Sequence, residues 1–166
     1  MRKAVVRQWL VLCAALWLAA QAGLALAAGG GGGSTRTEGS TAEVARAVEL
    51  IDAQRYADAV AMLEPYVRGA RNDADGHNWL AYAYRKSGRL PQAFEHYRRA
   101  LTLVPTHLGA HEYIGEAYLD AGQPDRAEFH LRELERICGE RCEQYEDLKA
   151  AIAGYKARTT PTAAKP

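Results

Sequence analysis

Between Ala74 and His107 apolar residues recur at steps of three and four, Leu80, Ala81 and Tyr84 before Ser87-Gly88 and Ala93, Tyr97, Ala100, Leu101 and Val104 after it. That spacing predicts two amphipathic helices joined by a tight corner. Gly88 falls just past the first helix, where a positive φ is wanted; Pro91 stands in the first turn of the second helix and Pro105 just beyond its end. Apolar positions occur on both helices, but too few to bury both faces within the hairpin alone. The hairpin must therefore stack on units like itself.

A step of 34 residues superposes the hairpin on its neighbours without gaps, giving copies at Ser40–Asp73, Ala74–His107 and Leu108–Arg141. Small residues align where first helices approach closely (Ala47, Ala81, Gly115), and larger ones follow a turn later (Leu50, Tyr84, Tyr118). The corner carries Gln54, Gly88 and Gly122. In the second helices Ala59, Ala93 and Ala127 align, then Leu63, Tyr97 and Leu131, then Tyr66, Ala100 and Leu134. Alternation of small and large lets paired helices nest.

In this period and small/aromatic pattern residues 40–141 resemble the tetratricopeptide repeat family, and the chain looks like a small exported bacterial member of it. The resemblance implies an all-α, right-handed solenoid of three helical hairpins, with first helices lining a concave groove that binds peptides. Copy one departs from the pattern. It lacks the corner glycine, has Tyr66 where a small residue is usual, and carries Pro65, which is expected to end or kink its second helix at about 3 kcal/mol. Its first helix is expected to start at Ser40, with Ser40 and Glu43 as a capping box. Beyond Arg141, Tyr145, Leu148, Ile152 and Tyr155 mark one apolar stripe on a charged helix, read as a C-terminal capping helix over 142–156. Residues 157–166 are short, polar and proline-bearing, and are read as a disordered tail.

The N-terminus has a different pattern. Arg2, Lys3 and Arg7 precede an apolar run from Trp9 to Ala20, and Ala25-Leu26-Ala27 offers a small-x-small cleavage site, so residues 1–27 read as a signal peptide cut after Ala27 or Ala28. An uncleaved inner-membrane anchor is the rival reading. Cys13, inside the apolar run behind Leu12, is a hydrophobe of that segment rather than a lipidation site. Residues 28–39, with five glycines from Gly29 to Gly33, read as a flexible linker. No strand, Lys-Ser/Thr or spaced glycine set accompanies them, so they are no phosphate loop. Cleavage changes the charge balance. Of 21 basic residues three lie in the leader, leaving 18 against 20 acidic ones, a net charge of about −2 with no basic field for nucleic acid. The mature chain is expected in the periplasm or secreted, with no membrane insertion.

Export gives Cys138 and Cys142 an oxidising setting in which an even pair invites a disulfide. Gly139 can turn the chain between a helix ending at Cys138 and one opening at Cys142, and a bridge there would contribute about 2 kcal/mol. Were the two helices continuous, the thiols would lie one turn apart, which suits a soft metal or a redox pair, an alternative function for this site. The cysteine spacing is not C-x-x-C, no second cysteine pair or H-x-x-x-H lies near it to complete a zinc tetrahedron, and of His107 and His111, four apart, only His111 is expected on a helix, so no metal or cofactor is expected. His77 and His111, and likewise His96 and His130, repeat at 34 and suggest packing between repeats. His107 reads as turn surface. Catalytic residues are not found either: the serines after the leader, Ser34, Ser40 and Ser87, sit in the linker, a cap and a corner, and Glu112 and Glu116 read as a solvated pair, so the chain is not expected to be an enzyme.

By the resemblance, the groove draws Val44, Val48 and Ile51 from copy one, Asn78, Tyr82, Arg85 and Lys86 from copy two, and Glu112, Glu116 and Asp120 from copy three, with Trp79 alongside as anchor or core. An amide, an aromatic platform and two cations suit an extended peptide with an acidic group or a C-terminal carboxylate. The family's carboxylate-clamp subclass has lysine and asparagine in its first repeat, where Val44 and Val48 stand here, so the clamp is not carried over. The function expected is a protein-binding scaffold for a protein or peptide partner, with an envelope complex as its setting. The architectural alternative is homo-oligomerisation through Val44, Val48 and Ile51.

Overall fold

The computed structural model describes residues 35–159, and the stretch read as a signal peptide, most of that read as a linker and the end of that read as a tail lie outside them. Among the described residues there are seven helices and no strand: α1 (Thr35–Asp52), α2 (Tyr56–Gly69), α3 (Ala74–Lys86), α4 (Leu90–Leu103), α5 (Leu108–Asp120), α6 (Pro124–Cys138) and α7 (Glu143–Thr159). Each helix packs on the next along the chain through α6. First helices also meet, α1 with α3 and α3 with α5, and α7 packs on both α5 and α6 as α5 does on α3 and α4. The result is an all-α solenoid of three hairpins closed by one extra helix. α3 and α5 both begin in the expected phase.

The core follows the small/large alternation. Ala47, Ala81, Ala59, Ala93 and Ala127 are fully buried, with Leu63, Leu80, Tyr97, Ile114, Leu134 and Leu148 filling the space between them. Gly115 lets α7 come closest: a Cβ there would stand 2.6 Å from Leu148 Cδ2. The capping helix thus covers the last hairpin through one leucine, and Lys156 pairs with Glu128 of α6 at 2.6 Å to hold its far end.

Four expectations need correction. α1 starts at Thr35, inside the stretch read as linker, so Ser40 lies within the helix and not at its cap; the same Thr/Ser-x-x-Glu spacing occurs earlier, at Thr35–Glu38. α2 runs unbroken through Pro65 to Gly69. Pro65 and Ala61, whose carbonyl loses its partner, are both exposed, so the freed group stands open to solvent. Ile51 is 5% exposed and belongs to the core rather than to a groove. α7 extends to Thr159, past the expected end at 156.

The other irregularities of copy one are absorbed locally. Tyr66 fits because Gly76 faces it: a Cβ at Gly76 would meet Tyr66 Cε1 at 2.6 Å, and the Tyr66 hydroxyl donates to Asp73. Gln54 takes the left-handed conformation of its counterparts, φ 57° against 76° at Gly88 and 71° at Gly122. The corner geometry persists without the glycine.

The histidines pair within a hairpin and also reach the repeat before it. His77 Nδ1 meets His96 Nδ1 at 2.9 Å, and His111 Nδ1 meets His130 Nδ1 at 2.9 Å. His77 Nε2 faces the Arg71 carbonyl at 3.3 Å and His111 Nε2 that of Pro105 at 2.9 Å. A carbonyl only accepts, so Nε2 of His77 and His111 carries the proton, and their Nδ1 accepts from His96 and His130. Each pair therefore ties both helices of a hairpin to the preceding turn in the neutral state. Burial lowers all four pKa values, that of His130 to about 4. The corresponding positions in copy one are Glu43 and Met62, and that hairpin has no such bridge. His107 caps α5, its Nδ1 accepting from the Ala110 amide at 3.2 Å.

Candidate functional site

Because α3 and α5 start 34 residues apart in one register, the side chains that face away from the nesting positions form a continuous face across both helices. Asn78, Trp79, Tyr82, Arg85 and Lys86 come from α3, and Glu112, Tyr113 and Glu116 from α5. Tyr113 is a member the sequence reading missed, although the step of 34 from Trp79 lands on it.

Three half-buried rings form the centre of this face. Trp79 and Tyr82 lie edge to face at 5.9 Å, Tyr82 and Tyr113 at 4.8 Å, and Trp79 and Tyr113 at 5.9 Å. Such contacts hold aromatic side chains rigid at small entropic cost to a later partner. The Lys86 ammonium sits 5.8 Å from the Tyr82 centroid at the exposed rim.

Arg85 is not the free cation expected from sequence. Its side chain is 8% exposed, and its guanidinium pairs with Glu116 and, at 3.1 Å, with Asp120. Burial opposes its charge, but Tyr97, Glu116 and Asp120 around it raise its pKa. The fully buried Tyr97 phenol beside it is driven well up by burial, against the pull of Arg85. Basic and acidic sets that read as separate ligand-binding patches thus neutralise one another between repeats. Glu116 is spent in that pair.

Glu112 is not solvated either. It is 7% exposed, and burial, then the charges of Glu116, Asp147 and Glu143, push its pKa up to about 8, with Arg85 opposing. Glu143 and Asp147 belong to α7, so the capping helix contributes to the electrostatics of this face. Burial likewise raises the phenols of Tyr82 and Tyr113, whose neighbours include Glu112 and Glu116. Three polar atoms here are buried without a well-formed hydrogen bond, Asn78 Oδ1, Arg85 Nε and the Tyr97 hydroxyl, and the last two belong to neighbouring groups that face each other in the core. Asn78 itself is 2% exposed. An unmet buried acceptor is costly, on the order of 1–3 kcal/mol, and marks a place where a partner group would be welcome.

The cysteines lie apart from this face. α6 ends at Cys138, Gly139 turns the chain with φ 80°, and α7 begins after Cys142. Their Cα atoms are 5.9 Å apart, within the span of a disulfide. The helices are not continuous, which removes the premise of the one-turn thiol pair. Among the described residues no group of three or more His, Cys, Asp or Glu is placed to hold a metal ion, and no helix is long and apolar enough to cross a membrane.

A family profile described as "Anaphase-promoting complex, cyclosome, subunit 3" matches residues 52–134. No curated protein matches the sequence. Among solved structures, the chain is similar to the type III secretion translocator chaperone SycD of Yersinia enterocolitica, with a TM-score of 0.65 and 15% identity over 78% of this chain and 96% of that one. It is similar to the same chaperone in complex with a peptide of the translocator YopD, at 0.63 and 16% over 75% and 96%. PcrH in complex with the chaperone binding region of PopD gives 0.63 and 18% over 76% and 96%. At such identities the likeness is one of fold.

Proposed function

Since the chain belongs to the tetratricopeptide repeat family, matched by that profile over residues 52–134, we propose that it is a non-catalytic scaffold whose α3–α5 face takes an extended segment of a partner protein. The observation that carries this reading is the cluster of three half-buried rings, Trp79, Tyr82 and Tyr113, beside Asn78 Oδ1, a buried acceptor with no donor. An extended backbone supplies the complement, an N–H for the amide oxygen. The rings supply the apolar contact that such hydrogen bonds alone do not provide. Two structural relatives carry a partner peptide or binding region in their own complexes, which supports a protein partner for this chain too.

The chain works outside the cytoplasm on this proposal, exported by residues 1–27, with Cys138 and Cys142 joined as a structural clip between the last hairpin and α7. The clip is separate from the binding face, and intact protein mass before and after alkylation tests it: no alkylation without reduction is the expected result. For binding, the test is selection of displayed random peptides of about twelve residues on the full chain, with Tyr82→Ala as the counter-target. Selected peptides should bind the parent and lose most affinity for Tyr82→Ala at unchanged helix content; equal binding to both would refute the face.

A further inference from the structure

On the protein-binding role proposed above rests a narrower one. We propose that the α3–α5 face receives a lysine or arginine side chain of the bound segment, seated against Trp79, Tyr82 and Tyr113 and paired to Glu112. This reverses the charge preference the sequence suggested.

The two cations of the face are engaged already. Arg85 is enclosed by Glu116 and Asp120, and Lys86 lies over the outer ring. What remains open is acceptor and π surface. Asn78 Oδ1 is a buried acceptor with no donor, Glu112 is a buried acid with no salt-bridge partner of its own, and Trp79 and Tyr113 present ring surface to which a cation is attracted, Arg85 and Lys86 both lying over Tyr82 at 5.3 and 5.8 Å. Glu143 and Asp147 on α7 add negative charge from the neighbouring element. The charged and titratable groups around Glu112 are therefore Tyr82 and Arg85 from α3, Tyr97 from α4 beside Arg85, Tyr113 and Glu116 from α5, and Glu143 and Asp147 from α7. With Arg85 already shared between two carboxylates, the set lacks a cation.

Insertion of one has a definite consequence. In the free protein Glu112 holds a proton at neutral pH, because burial and three carboxylates raise its pKa to about 8. A cation beside it favours the carboxylate, so the proton leaves to solvent as the ion pair forms. Binding at pH 7 should release close to one proton, about 0.9 for a group of that pKa driven fully to its base.

The test uses the full chain and peptides from the displayed random library. One position of the selected peptides should be basic. Calorimetry of such a peptide at pH 7 in phosphate and in Tris should then give enthalpies differing by the heat of about one buffer protonation, and Glu112→Gln should abolish the difference. Full ionisation at pH 7 requires binding to weaken the hold of Glu112 on its proton about a hundredfold, so Glu112→Gln should weaken binding on the order of a hundredfold at pH 8.5 and far less at pH 5, where the parent acid is itself neutral. The isosteric amide replaces a group already neutral at pH 7, so folding should survive; a thermal scan checks it. Selected peptides without a basic position, or binding without proton release, would overturn this inference and leave the scaffold reading standing. Peptides that bind parent and Tyr82→Ala alike would overturn both.

Discussion

α3 and α5 are related by a shift of 34 residues, and they agree and differ in separate places. On their packed sides they carry His77 and His111, Leu80 and Ile114, Ala81 and Gly115, Ala83 and Ala117, Tyr84 and Tyr118. On the face between them Trp79 and Tyr113 are both aromatic, but the other pairs differ: Asn78 and Glu112, Tyr82 and Glu116, Arg85 and Leu119, Lys86 and Asp120. The packed positions repeat because each meets the same thing, a neighbouring helix at close range and a histidine from its own hairpin. The open face meets no repeating neighbour, and there the two helices have become complementary, with Arg85 of one held by Glu116 and Asp120 of the other. The difference separates what builds the solenoid from what it can recognise.

The strongest way to break that comparison is to change the sign of the charge that joins the two helices. Arg85→Glu puts a carboxylate among Glu116 and Asp120 in a nearly buried place, and urea unfolding followed by circular dichroism should show a loss of about 3–5 kcal/mol. Lys86→Glu, one residue on but exposed, should change stability by less than about 0.5 kcal/mol. Similar losses for both would mean the ion pairs do not join the repeats.

Next comes the close approach of the capping helix. Gly115→Ala drives a methyl into Leu148, with a loss of about 1–3 kcal/mol in the same measurement, and hydrogen exchange should quicken along α7. The reverse change at the equivalent position, Ala81→Gly, should cost only about 1 kcal/mol, chiefly helix propensity. If the cost at Gly115 were the smaller one, α7 would not be seated on that residue.

Acid and base act on different halves of the comparison. The four paired histidines have folded pKa values below the ordinary 6.5. Between those values and 6.5 the unfolded chain binds the extra protons, so their contribution to stability is present above pH 6.5 and lost as pH falls towards about 4, the value for His130. Glu112 has the opposite sign: from 4.5 to about 8 the folded chain holds a proton that the unfolded one releases, so stability declines as pH rises across that window. Glu112→Gln should flatten the alkaline side of a stability–pH curve while leaving the acid side intact. An unchanged alkaline side would place the Glu112 carboxyl in water.

The smallest effect concerns the corners. Gln54 holds a left-handed conformation that glycine adopts freely, so Gln54→Gly should stabilise by about 1 kcal/mol and Gly88→Ala destabilise by about as much. Thermal unfolding of the two variants should shift in opposite directions.

The fold was legible because periodicity is a property of every residue in a helix. Small residues at the nesting points, glycines at two corners and prolines at helix starts all report the same hairpin. Pro65 and Tyr66 misled because their effects depend on surroundings that no local pattern contains, namely an Ala61 carbonyl open to solvent and a glycine opposite the ring. The candidate face was legible as a set of positions and misread as chemistry. Asn78, Trp79, Tyr82, Arg85, Lys86, Glu112 and Glu116 do lie on one face, but whether a charge is free depends on what the next repeat places beside it. The histidines were half legible: the 34-residue step pointed to packing between repeats, which the bonds to the Arg71 and Pro105 carbonyls supply, while the ring-to-ring bond, 19 residues apart within one hairpin, left no mark in that period.

The central claim, that the α3–α5 face is the recognition surface and the packed sides are scaffold, is tested most directly by mapping backbone amide shifts as a selected peptide is titrated into the full chain. The account predicts perturbations concentrated at residues 78–86 and 112–120, with α4 and α6 little changed. Perturbations concentrated on α4 and α6, with residues 78–86 and 112–120 silent, would contradict it.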